Sequence, residues 1–240
     1  MDPLTAVEDS HVDVLHEIGV RLGTADGFHE VLSRVVEFAS ALVKCDSCLI
    51  YVLDGDELVL RASKNPHPEV VDRLKLRVGQ GITGWVAEHA EPVAIPERAA
   101  QDPRFQFFRE LPEDGYEGFL SVPLMCRGRV MGVINLQHRQ HHVYRPREIR
   151  VISTIGFLVG AEIEMARLEE ANSTLAEKLQ TRKIVERAKG ILQRDLGLSE
   201  EQAYLTLQRQ SRQMRKPMKE IAEAIVLSDE VRGNSPERPA

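Results

Sequence analysis

The chain has 240 residues, of which 42% are apolar and 28% charged, and its formal net charge is −6. That profile suits one large domain or two modest ones with a real core, and excludes collagen-like, mucin-like or wholly disordered chains. No run approaches the roughly 20 apolar residues of a membrane-spanning helix, the acidic start MDPLTAVEDSHVDV lacks a signal peptide's positive n-region, and three cysteines are too few for a secreted disulfide framework. A soluble cytoplasmic protein with no membrane partner is expected.

Leu4, Val7, Val14, Ile18 and Leu22 recur at helical spacing, Gly23 to Gly27 interrupt the pattern, and Phe28 to Val43 resume it. Residues 47–137 switch to strand-like runs: SCLIYVL, LVLRAS, PVAIP, FLSVPLM and RVMGVINLQ, several bounded by Gly, Asp or Pro. Among them GITGWVAEHA, residues 81–90, reads as a helix preceded by a tight turn at Gly79 and Gly81. Strands with helices set outside them predict an α+β domain, one sheet flanked by helices, over residues 1–157.

A long helix is predicted from near Pro146. From Leu158 a heptad fits, with Leu158, Met165, Asn172 and Leu179 at a, and Ala161, Leu168, Leu175 and Arg182 at d. An Asn at one a position lowers stability but favours parallel, in-register pairing. Residues 158–181 are therefore read as the coiled coil of a parallel homodimer; a single helix lying along its own domain is the alternative.

Residues 182–228 give a three-helix pattern. Ile184, Ala188, Ile191 and Leu192 form the first apolar face, and Gly197 supplies a stop. Ser199 and Gln202 make a capping box for a second helix with Ala203, Leu207 and Met214 inward. Pro217 opens a third, with Ile221, Ala224 and Ile225 inward. The polar tail, residues 229–240, reads as disordered.

Charge is unevenly distributed. Residues 1–180 carry 19 Lys+Arg against 28 Asp+Glu, whereas residues 181–219 carry 10 against 4. An acidic body with one basic segment points to an anionic partner at that segment, nucleic acid before others. Lys183, Arg187 and Arg194 share roughly one face of the first helix, and Arg209, Arg212 and Lys216 one side of the second, with Arg215 and Lys219 at the following turn. Gly190 inside a helix suits a close approach by another backbone or by RNA. Tyr204 offers a stacking surface for an unpaired base, or an anchor for the small core.

No constellation assembles an acid, a base and a nucleophile, so no enzyme is expected. Cys45 and Cys48, spaced C-x-x-C, and the isolated Cys126 read as structural thiols. His138, His141 and His142 read as an exposed loop between the last strand and the long helix, with no metal assigned. Gly79-Gln-Gly81-Ile-Thr-Gly84 matches G-x-G-x-x-G but lacks a Rossmann context.

VGQGITGWVAEHAEPVAIPE (78–97), DPRF (102–105) and FLSVPLMCRGRVMGVINLQ (119–137) resemble a GAF domain. The resemblance implies a ligand-sensing module, an antiparallel sheet flanked by helices, that dimerises through its terminal helices. Its ligand is an unidentified small molecule, for which Trp85, Phe119 and Ser121 are the candidate pocket residues. The Asn-Lys, Phe, Asp-Glu signature of the cyclic-nucleotide subgroup is replaced here by His138-Arg139, Tyr144 and Arg147-Glu148.

Residues 182–226 resemble an ANTAR domain, through Ala188-Lys189-Gly190-Ile191-Leu192, Ala203-Tyr204 with Leu207, and Ile221-Ala222 with Ala224. That resemblance implies an RNA-binding transcription antiterminator that recognises paired hairpins in nascent messenger RNA. The candidate RNA-binding residues are Lys183, Arg187, Lys189, Gly190, Tyr204, Arg209, Arg212, Arg215, Lys216 and Lys219. Rival readings are a DNA-binding regulator with a helix-turn-helix, an enzyme on the GAF fold using Cys45, Cys48 or Cys126, and a dimerising scaffold.

Overall fold

The computed structural model describes residues 27–65, 68–107, 111 and 115–233. The helix expected over residues 4–22 and the end of the expected tail lie outside them. The chain divides into two compact units, Met1–Arg167 and Leu168–Ala240.

The first unit is built on helix α1 (Phe28–Val43), strands β1 (Ser47–Asp54), β2 (Glu57–Ser63) and β3 (Lys75–Arg77), helix α2 (Gly81–His89), strand β4 (Val93–Ile95), a 3-10 turn at Ala99–Gln101, and strands β5 (Gly118–Cys126) and β6 (Arg129–His138). The six strands pair antiparallel in the order β3-β2-β1-β6-β5-β4. The long β5–β6 hairpin turns at Arg127 and Gly128, both with positive φ, and its register runs from Gly118↔His138 to Cys126↔Arg129. Strand β3 has no counterpart in the sequence reading: Lys-Leu-Arg is three residues long, with only Leu76 buried.

Both faces of the sheet are covered, which is why β1 reads as a continuous apolar run rather than an alternating one. Cys48, Ile50 and Val52 face one layer with Leu32, Val36, Ile152 and Ile155. Leu49 and Tyr51 face the other with Ile82, Val86 and Phe119. The G-x-G-x-x-G run belongs to this second layer. Gly79 and Gly81 take φ of 82° and 67°, and a Cβ on Gly84 would stand 2.5 Å from the Arg77 carbonyl oxygen, so these glycines make a turn and a close packing contact.

Helix α3 spans Pro146–Leu196 without interruption and passes from the first unit into the second. In the first unit Ile152, Ile155, Val159 and Ile163 are buried against the sheet, and a Cβ on Gly160 would meet the Met125 carbonyl oxygen at 2.4 Å. The other side of the helix carries Leu158, Ala161 and Met165, all exposed. In the second unit Leu168, Asn172, Leu175 and Leu179 are exposed, the three leucines at 57–58%. At 3.6 residues per turn they lie roughly opposite Ile184, Ala188 and Ile191, the face that packs within that unit.

The second unit adds α4 (Glu200–Met214) and α5 (Met218–Gly233). The capping box is present: Ser199 Oγ accepts from Gln202 N, and Gln202 Oε1 accepts from Ser199 N. Gly197, with φ of 65°, ends α3. The core is small: Ala188, Leu207, Ile221 and Ala222, joined by buried Ile191 and Ala203. Two expected core positions differ. Met214 is 61% exposed at the last turn of α4, and on α5 it is Ala222, not Ala224, that is buried. The last helix also runs past Ser228 to Gly233, where a tail was expected, because Asp229 and Glu230 pair with Arg194 and Arg187 of α3.

Candidate nucleic-acid interface

The cations of the second unit fall into two groups that the sequence does not separate. On α3, Arg187 pairs with Glu230 at 2.8 Å, and Arg194 is held by Asp195 and Asp229. Those carboxylates hold the Arg194 guanidinium further above its already high pKa, the hydrogen bond that it donates to Asp195 contributing most. Lys189 is turned inward, its side chain only 8% exposed, with Nζ 2.9 Å from Glu186 and 2.7 Å from Glu200. The geometry thus puts Lys189, one of the candidate RNA-binding residues, in the packing between α3 and α4.

The second group is free. Lys183, Arg209, Arg212 and Arg215 are exposed and make no ion pair among the described residues. Lys216, exposed, and Lys219, half-buried, pair with Glu220 and Glu223 of the next turn at 3.0 and 4.0 Å. Arg209 and Arg212 share the outward side of α4 with Leu205, which is 52% exposed, while Tyr204, 43% exposed, lies on the flank of the helix. Ala203 and Leu207 take the inward side, so the helical repeat itself sets these residues outward. Leu205 is the member of this surface that the sequence reading missed; its signal was a leucine out of phase with Ala203 and Leu207. Gly190 is exposed, and nothing in the chain lies within 4 Å of where its Cβ would be.

In the first unit, Ser121 and Phe119 are buried and Trp85 is half-buried. Phe119 lines a cavity of about 20 Å³ with Leu49, Thr83, Phe105 and Asn135. That is room for one water molecule. Ser121 Oγ donates to Asn135 Oδ1 at 2.7 Å, and Asn135 Nδ2 donates to Thr83 Oγ1 at 2.8 Å, so the serine is engaged in a buried network beside the cavity. Trp85 stands apart from it, stacked on His89 at 4.1 Å with the Arg104 guanidinium 4.8 Å from its ring centre. The three candidates are not brought to one pocket wall.

His138 and His142 also depart from expectation. Their rings stack at 3.8 Å, His138 is buried at the end of β6, and its Nδ1 lies 3.0 Å from the Tyr144 hydroxyl, which donates to the Leu136 carbonyl. Burial, then the neighbouring His142, holds the His138 pKa below the usual value. Cys45 and Cys48 are buried free thiols in the layer between the sheet and α1.

A curled antiparallel sheet module is thus joined by one helix to a three-helix unit with an exposed basic face. The family model of the GAF domain matches residues 25–164, and that of the ANTAR domain matches residues 173–226. The chain belongs to the GAF domain family, with an ANTAR domain following. It is 41% identical over 76 residues to the transcriptional regulatory protein PdtaR of Mycobacterium tuberculosis, a match covering 32% of this chain and 37% of that one. It is 25% identical over 195 residues to the Nif-specific regulatory protein of Herbaspirillum seropedicae, covering 73% of this chain and 36% of that one. The matches thus span little more than a third of these relatives' length.

Among solved structures, the GAF domain of a phosphoenolpyruvate-protein phosphotransferase from Coxiella burnetii is 28% identical with a TM-score of 0.62, covering 67% of this chain and 96% of that one. The free methionine-R-sulfoxide reductase of Neisseria meningitidis, 16% identical with a TM-score of 0.55 over 65% of this chain and 89% of that one, shares the fold alone. Among the described residues no helix is long and apolar enough to cross a membrane.

Proposed function

We propose that this protein is an RNA-binding transcription antiterminator whose GAF unit responds to a small molecule and whose ANTAR unit binds hairpins in messenger RNA. The observation that carries the reading is the outward face of α4, where Arg209 and Arg212 stand unpaired beside exposed Leu205, with exposed Tyr204 on the flank of the same helix, in the unit that matches an ANTAR domain. Each unpaired cation that neutralises a phosphate releases counterions, which favours binding at low salt. Arg187, Lys189 and Arg194, already neutralised by carboxylates, contribute less.

The exposed leucines at 168, 175 and 179, with Met165 and Leu158, form the seam of a parallel homodimer in which Asn172 fixes the register. Two linked copies bind two hairpins with a gain from effective concentration that one copy lacks. Ligand in the GAF unit changes the pairing of α3, and so the presentation of the two basic faces. A protein of this kind acts on transcripts in the cytoplasm.

The test is a polarisation titration of the full chain against a two-hairpin RNA, a single-hairpin RNA and duplex DNA at two salt concentrations. Preference for the paired hairpins is the expected result. Equal affinity for duplex DNA would favour the helix-turn-helix reading instead.

A further inference from the structure

Beside the unpaired arginines lies an open groove of about 500 Å³, bounded by Leu198 of the α3–α4 turn and by Gln202, Leu205, Thr206, Gln208, Arg209 and Arg212 of α4. Three features of its lining go beyond a solvated helix face.

Leu205 is 52% exposed in a unit whose buried core is only a handful of residues, and Leu198 is partly exposed next to it. Together they give the groove an apolar floor. The Gln202 carboxamide is engaged, because its Oε1 caps the helix, and the Thr206 hydroxyl donates to the Gln202 carbonyl. The Gln208 carboxamide, by contrast, makes no hydrogen bond among the described residues. It offers an acceptor and two donor hydrogens side by side. Arg209 and Arg212 carry unneutralised charge at the same groove.

An apolar floor, one free carboxamide and two free guanidiniums match the parts of a single nucleotide. Its base has a flat apolar face and an edge of alternating donors and acceptors, and its phosphates are anionic. Bases in a helical stem are stacked and paired, whereas those of a loop are splayed and open on both face and edge. We propose that this groove is the seat of one unpaired nucleobase of the hairpin loop. The base lies on Leu205 and Leu198, Gln208 reads its edge, and Arg209 and Arg212 hold the phosphates on either side. The proposal rests on the RNA-binding reading above and assigns its sequence specificity to α4.

The test uses the full chain and a pool of two-hairpin RNAs with randomised loop positions. Selection by the wild-type protein should enrich one base at one loop position. Gln208→Leu keeps the side chain's bulk but removes its hydrogen bonds; it should erase that enrichment while leaving the salt dependence of binding unchanged. Arg209→Ala should do the reverse, lowering total binding and its salt dependence but keeping the enriched base. Leu205→Ala should weaken the selected RNA roughly tenfold. 2-Aminopurine placed at the enriched position should change fluorescence on binding to the wild type.

Because Leu205 lies outside the core, Leu205→Ala should retain the wild-type circular dichroism spectrum, and the same spectrum checks the folding of Gln208→Leu. Unchanged enrichment with Gln208→Leu, or 2-aminopurine silent at every loop position, would overturn the groove proposal while hairpin binding stands. A wild-type protein that selects no hairpin over duplex DNA would overturn the RNA reading and the groove together, an outcome visible before any variant is made.

Discussion

Lys189 of α3 and Glu200 in the first turn of α4 form a direct ion pair, Nζ to Oε1 2.7 Å, and Glu186 closes on the same ammonium at 2.9 Å. The pair ties the C-terminal part of α3 to the start of α4, beside the capping box at Ser199. It sets where the outward face of α4 stands. Lys189 is thus neutralised within the unit, whereas Lys183, Arg209, Arg212 and Arg215 carry exposed, unpaired charge.

Lys189→Gln should leave the slope of log affinity against log salt unchanged, because no phosphate contact is lost, while lowering the melting temperature of the second unit. The pH dependence has two limits. Hydrogen bonds from Lys189 hold the Glu200 carboxyl below its ordinary value of 4.5, so its contribution is full above that pH and is lost as pH falls through the lower folded value. Glu200 and then Glu186 raise the Lys189 pKa above 10.5, so its contribution is full below that pH and is lost as pH rises through the higher folded value. Thermal melts followed by circular dichroism from acid to alkali should show stability falling at both ends in the wild type, and less so in Lys189→Gln.

Arg209→Ala and Arg212→Ala should each reduce the salt slope of hairpin binding by about 0.7, the value for one phosphate contact on a single strand such as the loop. Arg194→Ala should change it less, since Asp195 and Asp229 already hold that guanidinium. Polarisation titrations over a range of salt would measure all three. Equal slopes lost in all three variants would mean that RNA displaces the internal carboxylates.

The seam predicts coupling between assembly and affinity. Leu175→Pro breaks α3 at an exposed d position, and Asn172→Asp sets like charges across the pair. Both should shift sedimentation toward monomer and weaken paired-hairpin binding by about 100-fold or more, the gain that linkage supplies. Single-hairpin affinity should hold. A monomeric variant with wild-type affinity for paired hairpins would remove the dimer from the mechanism.

Two glycines of α3 should respond oppositely to alanine. A Cβ at Gly160 would press on the Met125 carbonyl at 2.4 Å, so Gly160→Ala should destabilise the first unit by about 1–3 kcal/mol in denaturant titrations. Gly190 meets nothing within 4 Å, so Gly190→Ala should stabilise its helix by about 1 kcal/mol. If that stabilised variant also loses hairpin binding, a partner backbone approaches the helix at Gly190.

Much of the architecture was legible because its signals are local. The box of Ser199 and Gln202 and the stop at Gly197 depend on residues a few positions apart. Strand β3 was not legible, since Lys-Leu-Arg holds a single apolar residue between two cations, whereas the equally short β4 announces itself by the apolar run Val93-Ala94-Ile95. Met214 and Ala224 fit the helical period yet lie outside the core, because the second unit buries too few residues to fill every apolar position.

Local patterning is enough to give the order of elements, the amphipathic faces of the helices and the basic character of residues 181–219. Which charges are available depends on packing. Lys189 and Arg209 are both cations on amphipathic helices, and the one local difference is Glu186, three residues before Lys189. The difference lies in carboxylates: Glu200 comes to Lys189 only when α4 folds back on α3, and Asp229 reaches Arg194 only when α5 does the same. The same holds in the first unit, where Ser121, Asn135 and Thr83 meet across β5, β6 and α2. Pairing across distant elements is a property of packing, and no window of sequence contains it.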